Sequence, residues 1–269
     1  MEPLRLFRVI EVRNLTKHFG PIVAVQDISF EVKSGEIFAF LGPNGAGKTT
    51  TIKMLTTLLA PTTGKITVGG FDPTKQPHEV RKRFGIVFQD PSLDTELTAF
   101  ENLDIHGVLY KVPKQVRIQR TEYLLRKFEL WDRRKSYVKE FSGGMRRRLE
   151  IARCLLHTPN IIFLDEPTIG LDPQTRNQLW TQVKRLNEEE GVTVFLTTHY
   201  MEEAERVADR IAIIDHGKVV VQGSARQLIQ QTSSQTLEEA FLSFTGSAIR
   251  HEESTSLDRM RNAAKLFRR

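Results

Sequence analysis

Gly42-Pro43-Asn44-Gly45-Ala46-Gly47-Lys48-Thr49 follows the continuous apolar run Ile37-Phe38-Ala39-Phe40-Leu41 and leads into the helical stretch Lys48 to Leu59. The run fits a strand buried on both faces, and the octet meets the pattern G-x-x-x-x-G-K-[S/T] at every fixed position. Glycines let the backbone pass close to a polyphosphate with its N–H groups turned inward, and the helix N-terminus adds positive potential. Gly42, Pro43, Asn44, Gly45, Ala46 and Gly47 form the cradle. Lys48 is expected to reach the β and γ phosphates, Thr49 to offer its hydroxyl to Mg²⁺, and Thr50 to contact the α phosphate. A flexible glycine turn with a surface lysine is the competing reading. The strand before it and the helix after it tell against that alternative.

Downstream, Ile161-Ile162-Phe163-Leu164 is a second buried strand, and it delivers Asp165 and Glu166 at its C-terminal end, where ligands of open α/β sheets collect. Asp165 suits Mg²⁺, directly or through water, and Glu166 suits polarising an attacking water. Acids at a strand end also cap helices, so the pair takes its catalytic meaning from the phosphate loop upstream.

Around these two strands the chain reads as α/β. Val9 to Phe19 and the alternating Ile28 to Val32 suggest an antiparallel β-subdomain, and Ile66 to Gly70 and Gly85 to Phe88 add short strands. From Leu97 to His157 the pattern turns helical, with Pro113 opening one arm, which reads as a helical insertion. Runs at Val192 to Thr197, Ile211 to Ile214 and Val219 to Val221 alternate with helices at Pro173 to Glu190 and Met201 to Asp209. Such alternation indicates a mainly parallel sheet. The reading divides the chain into an ATPase-sized unit at 1–245, with a helical subdomain at about 90–158, and a tail at 246–269.

Composition narrows the classes. The 269 residues hold one cysteine, Cys154, which sits in an apolar helical pattern and reads as a packed core thiol in a reducing compartment. Apolar runs are strand-sized, well below the roughly 18 residues that cross a bilayer, and the N-terminus lacks a secretory pattern, so a cytoplasmic chain is expected. Lys and Arg number 39 against 33 Asp and Glu, a formal net charge of +6 that admits nucleic acid, an anionic membrane or a phosphate-rich ligand. Five of the basic side chains lie in the last fourteen residues (Arg259, Arg261, Lys265, Arg268, Arg269) against Asp258 alone. Leu257, Met260, Ala264 and Phe267 share one helical face there, so the tail reads either as an amphipathic helix on anionic lipid or a partner, or as a frayed terminus.

Taken together, these motifs resemble the nucleotide-binding subunits of ATP-binding cassette (ABC) transporters, over about residues 9–225. Ser142-Gly143-Gly144 is similar to the family's signature, Gln89 to its Q-loop glutamine, Gly170-Leu171-Asp172 to its D-loop and His199 to its switch histidine. Phe19 resembles the aromatic that stacks on adenine. Phe141 and Met145 stand where the common signature has Leu and Gln, which touches packing more than phosphate chemistry. The arginine run Arg146-Arg147-Arg148 and the segment Ala240-Phe241-Leu242 are similar to the drug-resistance and sodium-extrusion branch of ABC-2-type exporters.

The resemblance implies the P-loop ABC ATPase fold, ATP and Mg²⁺ as ligands, and a head-to-tail homodimer. Ser142, Gly143 and Gly144 would then face the partner copy's γ-phosphate, with Asp172 at the dimer contact. Glu166 would orient water, His199 would hold Glu166 and the γ-phosphate, and Gln89 would sense nucleotide and Mg²⁺. A separate ABC-2-type permease subunit would carry the transport path and contact the region from Gln89 to Lys139, placing the chain on the inner face of the cell membrane. A soluble ABC-type ATPase acting on nucleic acid, or an assembly scaffold, is the alternative. No heptad run or cysteine cluster lies between Lys48 and Asp165 to support it, and no nucleic-acid partner is expected. Asp172 also fits a helix cap, and Arg146 to Arg148 also fit a solvated helix face.

Overall fold

The computed structural model describes residues 8–246; the amphipathic tail helix and its membrane contact, expected from the sequence, lie outside the described residues. In chain order the elements are β1 (Arg8–Phe19), β2 (Ile22–Lys33), β3 (Ile37–Leu41), α1 (Lys48–Leu55), β4 (Thr63–Val68), α2 (Pro77–Arg81) and β5 (Phe84–Val87). Three helices follow, α3 (Ala99–Leu109), α4 (Lys114–Lys127) and α5 (Gly143–Cys154), then β6 (Ile161–Asp165), α6 (Pro173–Glu190), β7 (Thr193–Thr198) and α7 (Met201–Val207). The described chain closes with β8 (Arg210–Asp215), β9 (Lys218–Gly223), α8 (Ala225–Gln231) and α9 (Leu237–Thr245).

Strand periodicity builds the core. Six strands lie in the order β5-β6-β7-β3-β8-β9, parallel except for β9. Successive side chains point to opposite faces. Thus Ile37, Ala39, Leu41, Ile162, Leu164, Val194 and Leu196 join the cluster packed by the helices. Phe38, Phe40, Ile161, Phe163 and Phe195 join a second cluster, shared with α1 and the antiparallel sheet β2-β1-β4. On that second face Phe30, Phe38, Phe40 and Phe195 pack with ring centroids 5.3–5.9 Å apart, Phe30 and Phe38 stacked and the other pairs tilted. Burial on both faces is what makes β3 and the Ile161 to Leu164 run of β6 continuously apolar.

Several boundaries differ from the sequence reading, each for a local reason. β2 starts at Ile22 instead of Ile28, because Asn14 and Asp27 both take positive φ at a register shift and bond side chain to side chain at 2.9 Å. That bulge hides the alternation of its first half. α1 ends at Leu55 and not Leu59: Thr57 turns left-handed at φ 66°, and the N–H groups of Leu58 and Leu59 both close on the Lys53 carbonyl. α7 ends at Val207 and not Asp209, since Asp209 leaves the helix to accept from the Ile37 N–H through its carboxylate at 2.8 Å and to donate its own N–H to the Ile37 carbonyl.

The expected helical segment is present as α3, α4 and α5. Thr98 and Glu101 form a reciprocal cap on α3, and Pro113 precedes the first turn of α4. Arg120 on α4 donates to the carbonyls of Leu155 and Leu156, and Lys127 pairs with Glu189 and Glu190 on α6, so this segment is pinned to the sheet layer. Trp180 is buried, and the guanidinium groups of Arg126 and Arg134 both lie over the Trp131 ring. Cys154 is buried, and burial pushes its thiol up to about 12.

Candidate active site at the strand ends

The phosphate loop leaves β3 with the Gly42 N–H donating to the Thr198 carbonyl at 3.3 Å, which ties it to the tip of β7. Gly47 precedes α1 at φ 104°, and a Cβ there would lie 2.6 Å from the Ala24 carbonyl oxygen, so glycine is required on both counts. Lys48 is 4% exposed, and its ammonium donates to the Gly42 and Pro43 carbonyls at 2.7 and 3.1 Å. The lysine therefore turns back across its own loop, and its Nζ also lies 3.0 Å from Glu166 Oε1.

Asp165 ends β6. Its Oδ1 accepts from Thr197 Oγ1 at 2.6 Å and from Thr49 Oγ1 at 3.3 Å. Burial raises its pKa, the two hydroxyls pull it back, the Glu166 charge adds to the rise, and the net direction is upward. Glu166, the next residue, takes φ 48°, an uncommon conformation for a side chain with a Cβ, held by N–H bonds to Thr197 Oγ1 at 3.0 Å and to the Thr197 carbonyl at 3.2 Å. The turn sends Glu166 Oε1 to Lys48 and Oε2 to His199 Nδ1, 2.9 Å away. Burial works to raise the Glu166 pKa, but the His199 hydrogen bond and the Lys48 charge outweigh it and hold the carboxylate below its ordinary value. Two adjacent acids are thus driven in opposite directions, Asp165 upward by burial and Glu166 downward by His199 and Lys48.

Thr49 and Asp165 are hard oxygen donors within reach of one cation. Mg²⁺ commonly takes one or two protein oxygens and completes its octahedron with phosphate oxygens and water. Among the described residues no group of three or more His, Cys, Asp or Glu converges, so the donor set fits a cation shared with a phosphate ligand better than a closed protein cage.

Other residues expected in the site lie further out. Gln89 is exposed beyond β5 and makes no hydrogen bond to Thr49, Asp165 or Glu166; its carbonyl is held by Arg147. Phe19 is 47% exposed, pairs with Ile22 and has the Lys17 ammonium over its ring. Ser142 is exposed at the N-cap of α5 and accepts from the Met145 N–H at 3.2 Å. A Cβ on Gly144 would meet the Thr175 methyl at 2.3 Å, so this glycine lets α5 approach the first turn of α6. Asp172 caps α6, accepting from the Thr175 N–H at 2.9 Å and hydroxyl at 2.6 Å.

Two features escaped the sequence reading. Thr197 serves both acids, through one hydroxyl that donates to Asp165 and accepts from Glu166. Glu203, buried on α7, accepts from Thr168 Oγ1 at 2.6 Å and Thr198 Oγ1 at 3.1 Å, and lies 3.4 Å from Arg176. It joins the segment after Glu166 to the segment before His199. The available signal was a glutamate on the same helical face as the apolar Val207.

A glycine phosphate loop, a hydroxyl and carboxylate suited to Mg²⁺, and an anionic glutamate fixed between a lysine and a histidine define a nucleoside-triphosphate hydrolase. The pattern of the ABC transporter family matches residues 25–169. The chain is 45% identical over 230 residues to the daunorubicin/doxorubicin resistance ATP-binding protein DrrA of Streptomyces peucetius, covering 86% of this chain and 69% of that one. It is 40% identical over 224 residues to a Nod factor export ATP-binding protein of Cupriavidus pinatubonensis, covering 83% of this chain and 69% of that one. The dimeric post-hydrolysis structure of the ATP-binding cassette MJ0796, bound to ADP and Pi, superposes with a TM-score of 0.71 at 30% identity, over 80% of this chain and 98% of that one. The chain belongs to the ABC transporter family, as an ATP-hydrolysing subunit. ABC ATPase subunits of transporters dimerise and work with transmembrane components.

Proposed function

We propose that this chain is the motor subunit of an ABC-2-type exporter for a drug-like or related substrate, acting as a homodimer beside a separate permease subunit on the inner face of the cell membrane. The observation that carries the reading is the run of contacts from Lys48 through Glu166 to His199, set beside Thr49 and Asp165. Names of relatives that speak of drug resistance and export support the direction of transport. The exposed Ile105, Val108 and Leu109 of α3, with Val116 and Ile118 of α4, support the helical segment as the permease contact. On this reading residues 1–245 are the ATPase unit, with its helical subdomain at about 90–158, and 246–269 form a basic appendage.

Catalysis in such a site is positioning and charge stabilisation. Phe19 stacks on adenine, residues 42–47 wrap the phosphates, Lys48 balances charge on the β and γ phosphates, and Thr50 contacts the α phosphate. Glu166, kept anionic, orients the attacking water and accepts its proton. His199 fixes Glu166 through Nδ1 and contacts the γ-phosphate. Thr49, Asp165 and Gln89 would hold Mg²⁺, which when bound would supply positive charge to offset that of the phosphates. Ser142, Gly143 and Gly144 close over the nucleotide of the second copy in a two-fold arrangement, with Asp172 at the contact. ATP thereby favours the closed dimer and hydrolysis reopens it.

Replacing Glu166 with Gln is expected to leave ATP binding intact, abolish turnover and trap the dimer. Undiminished hydrolysis would refute the assignment. Recovery with a multi-span membrane protein tests the transporter role, and steady recovery of nucleic acid in its place would overturn it.

A further inference from the structure

The arginine run Arg146-Arg147-Arg148, which the sequence leaves open as a solvated helix face, is split three ways by the fold. Arg146 donates to the carbonyls of Val138 and Lys139, and Arg148 pairs with Glu129. Arg147 is buried and turns inward. Its Nη1 donates to the Phe88 carbonyl at 2.6 Å, and its Nη2 to the Gln89 carbonyl at 3.1 Å. The same guanidinium lies 3.0 Å from Glu150, which is buried one helical turn on. Glu150 accepts from the Ser92 N–H at 2.8 Å, and Arg153, a further turn on, donates to the Ser92 carbonyl at 2.7 Å and to its hydroxyl. Residues at i, i+3 and i+6 form a row along a helix in which each neighbours the next, so one row on α5 grips the backbone of residues 88–92 on both sides of Asp90 and Pro91.

A buried ion pair is weak evidence of stability, since apolar residues of similar volume often do as well. What apolar residues cannot do is satisfy three backbone carbonyls and one N–H at fixed points of a loop. The row is therefore specific to the position of this loop.

We infer that Arg147 is a positioning residue for Gln89, and that the Arg147–Glu150–Arg153 row makes residues 88–92 and α5 move as one body. On the roles proposed above, Gln89 serves the nucleotide of its own copy, whereas Ser142, at the N-cap of α5, serves the nucleotide of the second copy. A displacement of Gln89 at one site is then carried within the chain to the other. The inference rests on the roles proposed above for Gln89 and Ser142, and it adds a residue and a route that those roles do not contain.

The test compares MgATP hydrolysis by the full chain with that of Arg147→Ala, Arg147→Lys and Glu150→Gln, alongside equilibrium binding of a fluorescent ATP analogue. Arg147→Ala is expected to lower kcat by about 10- to 100-fold, the scale of loss for a misplaced contact group. Nucleotide affinity should stay within about twofold, and the Hill coefficient for ATP should fall below that of the unsubstituted chain. Arg147→Lys should fall between, because an ammonium cannot reach both carbonyls and the carboxylate in the planar geometry of a guanidinium. A kcat within about twofold of wild type, an affinity loss as large as the kcat loss, or an unchanged Hill coefficient overturns the inference. If Arg147→Ala does not fold, the lysine and Glu150→Gln variants carry the same criteria. Loss of turnover in Glu166→Gln with no change in the Arg147 variants would sink the coupling alone, whereas full turnover in Glu166→Gln would sink the site itself.

Discussion

Two loops leave the central sheet at the C-terminal ends of its strands, residues 42–47 after β3 and residues 88–92 after β5, and they are held in opposite ways. The first is fixed mostly from within, by Ala46 N–H to the Pro43 carbonyl, Lys48 to the carbonyls of Gly42 and Pro43, and a glycine at φ 104°, with backbone bonds to Thr198 and Gly217 as its distant ties. The second contains no glycine and is gripped by side chains on α5, about sixty residues later in the chain. A loop built from local bonds has its shape written in eight consecutive residues. A loop held from afar acquires its shape only when the holding helix docks, and with it a path by which that helix can be moved.

Substitutions can break or sharpen this contrast. Lys48→Ala removes the cation of the local loop and should cost at least about 100-fold in hydrolysis rate, with nucleotide binding weakened in step. Gly47→Ala strikes the backbone of the same loop. The left-handed strain and the 2.6 Å approach to the Ala24 carbonyl should lower stability by about 1–3 kcal/mol, read as a fall in the denaturation midpoint. In the second loop Ser92→Ala deletes the hydroxyl but keeps the backbone bonds to Glu150 and Arg153, so about 1 kcal/mol or less of stability should be lost. That loss should come with a smaller effect on kcat than in Arg147→Ala. Smallest of all is the response of Cys154, at the end of α5: with its thiol pushed up to about 12 it should resist iodoacetamide in the folded chain and react only in denaturant.

The same contrast governs what could be read from the amino-acid sequence. β3, β6, the phosphate loop, the acid pair and the Asp172–Pro173 helix start are all specified within a few residues, and they stand where the sequence reading puts them. The end of α7 depends on Asp209 finding the Ile37 N–H, and the start of β2 on a bulge that Asn14 and Asp27 make together. Neither partner is near in sequence, so periodicity misplaced both. The short α2 and the terminal α8 and α9 went unread, although Ser224 with Gln227 is a reciprocal cap and Thr236 caps α9. In the site, the charge state of Glu166 was illegible for the same reason, since it is set by His199 and Lys48 and not by the acid beside it.

β7 lies between β3 and β6 in the sheet, so the strand that carries the phosphate loop never pairs with the strand that carries the acids. Neighbouring strands stand about 4.8 Å apart, which sets the two halves of the site roughly 10 Å from axis to axis. That separation is a property of backbone pairing, the same whatever side chains the loops carry. β7 is in this sense a ruler one strand wide, and its tip, Thr197 and Thr198, is the floor between the loop that takes the phosphates and the acids that act on them.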